Sequence, residues 1–290
     1  MTLAYDRVGS GPPLVLLHGV GHRRQAWNAV VPLLRNRREL IMVDLPGHGE
    51  SPPFRPDGRE PVQAMAEEVI AFLAELGLDR PHLAGNSLGG ALALIAASEG
   101  HAATVTGLSP AGFWAHRRQF TYAKAIFKTM EVTGAGIRSS APRLARSTAG
   151  RALLFAAVVS RPSRLSAEQA LGDTQAFMRA RPTVDTILAD PLWFTAPIPE
   201  QIPVTIAWGT KDRLLLPSQA EVARRQLPHA RHVPLPGCGH VPMTDDPALV
   251  AQVLLDGSAV PDPAPATAGD QAAGDQPAEG RAAESQPQEG

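Results

Sequence analysis

The chain has 290 residues, of which 44% are hydrophobic, and its formal net charge at pH 7 is −1. This length can bury one large core or a core with an insertion, and the near-zero charge argues against nucleic acid as a general partner. A single cysteine, Cys238, excludes an internal disulfide. No apolar run is long enough to predict a membrane span or a secretory leader, so we expect a cytoplasmic protein.

Short apolar runs alternate with helical patterns along most of the chain. A run such as residues 14–17, with no polar break, is typical of a strand that is buried on both faces of a parallel sheet. Strands are predicted at residues 3–8, 14–17, 40–43, 82–84, 103–108, 204–208 and 231–235. Helical patterns lie between them at residues 27–34, 62–76, 88–97, 219–226 and 247–255. This alternation predicts an α/β fold with a doubly wound, mostly parallel sheet.

The alternation stops between residues 113 and 196, where the patterns are helical and interrupted by prolines. We expect this segment to be a helical cap inserted into an α/β core of residues 1–112 and 197–256. The cap carries twelve Lys or Arg and five acidic residues, a surplus of seven positive charges. Residues 257–290 consist mainly of Ala, Pro, Gly, Gln, Asp and Glu, which cannot bury a core, and they are predicted to form a disordered acidic tail.

The most informative motif is Gly-Asn-Ser-Leu-Gly-Gly at residues 85–90, between a predicted strand and a predicted helix. This G-x-S-x-G pattern places Ser87 on a sharp strand-to-helix turn, with its hydroxyl at the carboxyl edge of the sheet. Glycines are needed there because the backbone is crowded on both sides of the serine. A simpler interpretation is a small-residue turn in which Ser87 only caps the helix.

A nucleophilic serine needs a base, and the base needs a group that orients it. His240 lies in a glycine-rich loop directly after the last predicted strand, and Asp212 follows the strand at residues 204–208. Both positions are at the carboxyl ends of parallel strands, where Ser87 is also expected. Four other candidates are predicted to have structural roles: His18 and His48 bracing turns, and Asp245 and Asp246 as N-terminal charges of the last helix.

Together these motifs resemble the α/β-hydrolase family, in its serine hydrolase branch with a helical cap, over about residues 14–255. The resemblance rests on the following blocks: His18-Gly19, residues 44–49 (Asp-Leu-Pro-Gly-His-Gly), residues 85–90, residues 208–212 (Trp-Gly-Thr-Lys-Asp) and Gly239-His240. The chain order of serine, aspartate and histidine is the order found in that family.

The resemblance implies a catalytic triad of Ser87, Asp212 and His240. It also implies an oxyanion hole formed by the backbone N–H groups of Val20 and Leu88. The activity that it implies is hydrolysis of a carboxylic ester of a small, largely apolar substrate, through an acyl-enzyme intermediate on the serine.

Two other functions stay open on the sequence. Hydrolases that cleave carbon–carbon bonds in dienoic diketone acids share Gly-Asn-Ser-x-Gly-Gly, but they tend to have tryptophan after the catalytic histidine, where this chain has Val241. A non-catalytic ligand-binding receptor or interaction protein on the same fold is the alternative from another class. No metal or cofactor is expected, since no cluster of histidines and carboxylates has ligand spacing. The dehalogenase and epoxide-hydrolase relatives have an aspartate nucleophile, which excludes them here.

The cap of residues 113–196 is expected to cover the serine and to form the acyl pocket. The apolar candidates for its inner face are Phe113, Trp114, Phe120, Ile126, Phe127, Met130, Leu153, Phe155, Phe177, Met178, Trp193 and Phe194. The positive surplus of the cap would favour an anionic substrate or an acidic carrier protein, although a solvated helical surface explains the same residues.

Overall fold

The computed structural model describes residues 2–137 and 139–259. In this part of the chain seven strands form one sheet. In chain order they are β1 (Tyr5–Gly9), β2 (Pro13–Leu17), β3 (Glu39–Val43), β4 (His82–Asn86), β5 (Thr104–Leu108), β6 (Val204–Gly209) and β7 (Arg231–Leu235). Their order in the sheet is β1-β3-β2-β4-β5-β6-β7. The edge strand β1 runs antiparallel to β3, and every other neighbouring pair is parallel. The predicted doubly wound, mostly parallel sheet is therefore confirmed.

The helices of the core are α1 (Val31–Leu34), α2 (Pro61–Glu75), α3 (Leu88–Ser98), α9 (Ser218–Gln226), α10 (Pro242–Asp245) and α11 (Pro247–Gly257). Five further helices lie between β5 and β6: α4 (Arg117–Gly136), α5 (Ala141–Arg146), α6 (Thr148–Phe155), α7 (Ala167–Arg179) and α8 (Arg181–Ile187).

Helices cover both faces of the sheet, and alternate side chains of its inner strands enter the two cores. In β2, Val15 and Leu17 pack in the core that holds α2 and α3, whereas Leu14 and Leu16 pack in the core that holds α1 and α11. Both faces of the strand are buried because successive side chains point to opposite sides of the sheet. This arrangement accounts for the unbroken apolar runs of the sequence.

The sheet order reverses at β2. The chain passes from β2 to β3 on one side, and then crosses to β4 on the other side. A crevice forms at such a switch point outside the carboxyl ends of the two strands, and ligands bind there in open α/β sheets. Ser87 follows β4, and the segment from His18 to Gly21 follows β2.

The structure differs from the sequence-based prediction at several element ends. Residues 27–34 do not form one helix; a 3-10 helix at Arg24–Trp27 precedes the short α1, whose second residue is Pro32. The short helix α10 was not predicted. The last helix continues to Gly257, and Ser258 is buried and bonded to the Arg38 side chain, so the structured core extends into the segment that we assigned to the tail.

The helical segment predicted at residues 113–196 does lie between β5 and β6, and it is helical from Arg117 to Ile187 with short breaks. Core and cap belong to one compact unit that ends at Ala259. The remainder of the predicted tail, residues 260–290, lies outside the described residues. Across the described ranges, no helix combines the length and apolar character that a membrane crossing requires.

Candidate active site

Ser87 stands alone between the last residue of β4 and the first residue of α3. Its backbone has φ 55° and ψ −117°, a left-handed conformation that serine rarely adopts and that is typical of a strained functional turn. A Cβ atom at Gly89 would overlap the Leu17 carbonyl oxygen, and one at Gly85 would overlap the backbone of Gly89. The backbone is therefore as crowded as the G-x-S-x-G pattern predicts, and residues 85 and 89 must be glycine for the turn to form.

His240 and Asp212 lie in two adjacent loops that follow β7 and β6. The His240 Nδ1–H donates to Asp212 Oδ2 at 2.8 Å, and both side chains are buried. The other carboxylate oxygen, Asp212 Oδ1, accepts from the backbone N–H groups of Leu214 and Leu215 at 2.9 Å. The carboxylate is thus held by its own loop, and the hydrogen bond to Nδ1 leaves His240 Nε2 without a proton in the neutral imidazole.

The two loops are able to meet because a glycine lies between them. A Cβ atom at Gly209, the last residue of β6, would overlap the Gly239 carbonyl oxygen. In addition, the Lys211 N–H donates to the Cys238 carbonyl at 2.8 Å. Backbone contacts, rather than side-chain packing alone, therefore set the approach of Asp212 to His240.

The side chain of Asn86 connects the serine turn to the histidine loop. Its Nδ2 group donates to the carbonyl oxygens of Leu108 and His240, both at 2.9 Å, and the residue is 1% exposed. The sequence motif contains Asn86 but does not indicate this connecting role. The available signal was a polar amide at the end of a strand that is otherwise apolar, since such a group must find partners when it is buried.

The two amides that we assigned to the oxyanion hole share one feature in the described part of the chain. Within residues 2–137 and 139–259, neither the Val20 N–H nor the Leu88 N–H has a hydrogen-bond partner. Leu88 is the first residue of α3, where amide groups have no partner within the helix and the helix dipole favours negative charge. Val20 lines the same cavity as Ser87 and His240.

Two buried histidines hold the loop that carries the Val20 amide. His48 Nε2 accepts from the Gly21 N–H at 2.9 Å, and its Nδ1–H donates to the Pro46 carbonyl at 3.0 Å. His18 accepts from the Leu45 N–H at 3.1 Å and donates to the Gly19 carbonyl at 2.8 Å. Burial lowers the pKa of His48 to about 4 and that of His18 well below its usual value, so both rings are neutral. The bracing roles predicted for these histidines agree with these contacts.

The role predicted for Asp245 is wrong. Its carboxylate does not serve the last helix, because its oxygens accept from the backbone N–H groups of Gly239 at 2.7 Å, Ser160 at 3.0 Å and Arg161 at 2.6 Å. Asp245 is fully buried and connects the cap to the loop that carries the catalytic candidate His240. Asp246 does cap α11, since its side chain accepts from the Leu249 N–H at 3.1 Å.

A cavity of about 410 Å³ lies between the cap and the carboxyl edge of the sheet. It is lined by Ser87, Asn86 and His240 from the core and by residues of α4, α6 and α7 from the cap. Of the predicted inner residues, those that line it are Ile126, Phe127, Met130, Leu153, Phe155 and Phe177. Others belong to the main apolar core: Phe113, Trp114, Phe120 and Phe194. Trp193 is 42% exposed, so the prediction holds for only part of the set.

Cys238 is a buried thiol in the loop that carries His240. Burial raises the pKa of the Cys238 thiol to about 11, which keeps it protonated. In the described part of the chain, no group of three or more His, Cys, Asp or Glu side chains is placed to hold a metal ion.

The chain is similar to known hydrolases in sequence and in structure. A sequence profile of the alpha/beta hydrolase family matches residues 14–253. Lipase 1 of Psychrobacter immobilis is 28% identical over 247 residues, which are 81% of this chain and 73% of the lipase. The pimeloyl-[acyl-carrier protein] methyl ester esterase of Aeromonas hydrophila is 43% identical over 93 residues, 32% of this chain and 35% of the esterase. A crystal structure of a membrane phospholipase A, described as a bacterial virulence factor, superposes with a TM-score of 0.69 at 26% identity, covering 89% of this chain and 85% of that one.

Proposed function

Because the chain belongs to the alpha/beta hydrolase family over residues 14–253, we propose that it is a serine hydrolase that cleaves a carboxylic ester through an acyl-enzyme on Ser87. The observation that carries this proposal is the 2.8 Å hydrogen bond between His240 and Asp212, together with a cavity that both Ser87 and His240 line. The similarity to a lipase and to a methyl ester esterase supports an ester as the substrate.

In the proposed first step, Ser87 Oγ bonds to the ester carbonyl carbon while His240 Nε2 takes the hydroxyl proton. Asp212 keeps the imidazole in the required tautomer and stabilises the imidazolium. When the tetrahedral intermediate collapses, the C–O bond to the alcohol breaks and the alcohol oxygen receives the proton from Nε2. A water molecule then attacks the acyl-enzyme with His240 as the base, which releases the acid and restores the Ser87 hydroxyl.

The negative charge that develops on the carbonyl oxygen needs donors that are already in place. The N–H groups of Val20 and Leu88 are proposed to supply them, since both lack partners in the described residues. Removal of one such donor typically lowers the rate by about 10²- to 10³-fold. The neutral imidazoles of His18 and His48 stiffen the Val20 loop, so the donor does not have to be reorganised during the reaction.

The cavity supports an acyl group that is largely apolar and of short to medium length. Its wall is mostly aliphatic and aromatic, as in small-molecule sites generally, and Ile126, Phe127 and Phe177 come from two different helices of the cap. We expect substitution of Phe127 or Phe177 by Ala to change the preferred chain length more than the turnover of an acetate ester.

A panel of p-nitrophenyl esters from acetate to decanoate, combined with a fluorophosphonate probe, tests the proposal. Ser87→Ala should abolish labelling and lower kcat by several powers of ten, and Asp212→Asn should lower kcat by about 10⁴ because the wrong tautomer forms. Ser109→Ala is the matched control, since Ser109 is also a buried serine with positive φ after a strand, and labelling should persist. Labelling of Ser87→Ala at the wild-type rate would exclude Ser87 as the nucleophile.

The same panel separates the alternatives. Turnover of a dienoic diketone acid without turnover of any ester would favour carbon–carbon bond hydrolysis. Neither turnover nor labelling would favour a ligand-binding protein on the same fold.

An ester carried on an acidic protein is the second candidate substrate. It is favoured by the positive surplus of the cap and by the match to an esterase of a carrier-protein-bound methyl ester over 93 residues. The kcat/KM values of a free methyl ester and of one on an acidic carrier protein should then diverge as salt is lowered. Equal responses of the two substrates to salt would contradict this candidate.

A further inference from the structure

A histidine and a carboxylate lie close together in the mostly apolar wall of the cavity. His22 follows the loop that carries the Val20 amide, and Asp173 lies on α7 of the cap; both line the cavity that holds Ser87. His22 Nε2 and Asp173 Oδ2 are 3.9 Å apart, which is longer than a hydrogen bond. Neither residue takes part in the proposed reaction at Ser87.

The hydrogen bonds around this pair define what each group can offer. His22 Nδ1 accepts from the Arg23 backbone N–H at 3.0 Å, so the neutral ring carries its proton on Nε2. Asp173 Oδ1 accepts from Arg23 Nε at 2.8 Å, and within the described residues Oδ2 receives no hydrogen bond. The pair therefore presents one N–H donor and one charged oxygen acceptor side by side.

The chain is built to hold Asp173 in this position. Asp173 is 9% exposed, and the Arg23 guanidinium that binds it lies against Gly172. A Cβ atom at Gly172 would overlap that guanidinium, so the glycine makes room for it although glycine inside a helix is unfavourable relative to alanine. The acceptor is thus fixed by a contact between core and cap, and its second oxygen stays available.

We propose that His22 and Asp173 bind a neutral hydroxyl group of the substrate. A hydroxyl is both donor and acceptor, so it can donate to Asp173 Oδ2 and accept from the His22 Nε2–H at the same time. The inference rests on the proposed ester hydrolysis at Ser87, and it narrows the substrate to esters that carry a hydroxyl on an aliphatic chain. A carboxylate at the same place is repelled by the Asp173 charge.

The test compares methyl hexanoate, methyl 6-hydroxyhexanoate and monomethyl adipate, which differ only at the chain end, with acid release followed in a pH-stat. Methyl ω-hydroxyalkanoates up to ten carbons extend the acyl series. Butyrate monoesters of linear diols, compared with the butyrates of the matching alcohols, place the hydroxyl on the alcohol side. At one length or more, the hydroxylated ester should have a kcat/KM about tenfold above that of its plain analogue, as one hydrogen bond to a charged group allows. Monomethyl adipate should have the lowest kcat/KM of the three substrates with a six-carbon acyl chain.

Variants assign the preference to the pair. His22→Phe and Asp173→Asn should each reduce the hydroxyl preference severalfold, and Asp173→Asn should also improve monomethyl adipate relative to methyl hexanoate. Asp190→Asn is the matched control. Asp190 is an exposed cap carboxylate that likewise pairs with an arginine, Arg117, and its substitution by Asn removes the same charge. Its substrate preferences should equal those of the wild type.

The wild-type ratios decide the question even if a variant does not fold. Turnover of all esters with no hydroxyl preference in either series overturns this inference and leaves the proposed ester hydrolysis standing. An unchanged preference in both His22→Phe and Asp173→Asn also overturns it. Failure to hydrolyse any ester, with Ser87 unlabelled by the fluorophosphonate, overturns the proposed function and this inference with it.

Discussion

The buried neutral histidine His48 makes the stability of this protein depend on pH in a defined direction. Its pKa is about 4 in the folded chain because of burial, against about 6.5 when the chain is unfolded. The unfolded state therefore binds more protons than the folded state between these two values. The contribution of the neutral His48 to the free energy of unfolding is fully present above pH 6.5 and is lost as the pH falls towards 4.

The size of the effect follows from this difference in pKa. For a single group that titrates at about 6.5 unfolded and about 4 folded, the free energy of unfolding is about 2 kcal/mol lower at pH 5 than at pH 7. The structural cause is local, since a protonated His48 cannot accept from the Gly21 N–H, and its ring is buried away from solvent.

Urea denaturation of the wild type and of His48→Gln, at pH 7 and at pH 5, isolates this contribution. Glutamine does not titrate, and its amide oxygen can still accept a hydrogen bond. The pKa of His18 is lowered as well, mainly by burial and next by the neighbouring His48. Its burial is the same in both proteins, so most of the His18 contribution is common to the two. We expect the wild type to lose about 2 kcal/mol more than His48→Gln between the two pH values. Equal losses in the two proteins would refute the reasoning.

The remaining predictions concern three other places. Asn86→Ala should lower the free energy of unfolding by about 2 kcal/mol, because two buried carbonyl groups lose their hydrogen-bond donor. It should also lower kcat at temperatures where the variant stays folded, and a wild-type kcat would contradict this. Iodoacetamide at pH 7.5 should alkylate Cys238 at least about a hundredfold more slowly in the folded chain than in urea, since its pKa is about 11; equal rates would contradict its burial. A chain that ends at Ala259 should have a Tm within about 2 °C of that of the full chain. A chain that ends at Gly257 lacks the buried Ser258, so its Tm should be several degrees lower. A large decrease in Tm of the chain that ends at Ala259 would mean that residues 260–290 stabilise the fold.

The strands and the order of the catalytic candidates could be predicted because their signals are local. A continuous apolar run indicates a doubly buried strand, and glycines at positions 85 and 89 indicate a turn too tight for other residues. The identity of Asp212 and His240 as partners followed from their places after two strands, since parallel strands bring their carboxyl ends to one edge. Their catalytic roles, like that of Ser87, stay predictions until the variants are measured.

Local sequence patterns gave wrong predictions in two regions. Residues 27–34 have helical spacing, yet the chain forms a 3-10 turn first, and Pro32 then stands in the first turn of a short α1. Asp245 lies just before the last helix, which predicts a negative charge at the N-terminus of that helix. Its carboxylate instead accepts from the backbone N–H groups of Gly239 and Ser160. A nearby helix end and distant backbone amides compete for the same carboxylate, and the neighbouring sequence does not show which of them binds it.

Strand periodicity and turn glycines act over a few residues, so the sequence was enough to indicate the candidate catalytic residues and the edge of the sheet that they share. The contacts between distant parts of the chain became visible only in the folded structure. Asn86 contacts the His240 carbonyl 154 residues away, and Arg23 contacts Asp173 150 residues away. Such pairs depend on how the cap packs on the core, where buried polar groups bond to whichever partners the packing brings near them.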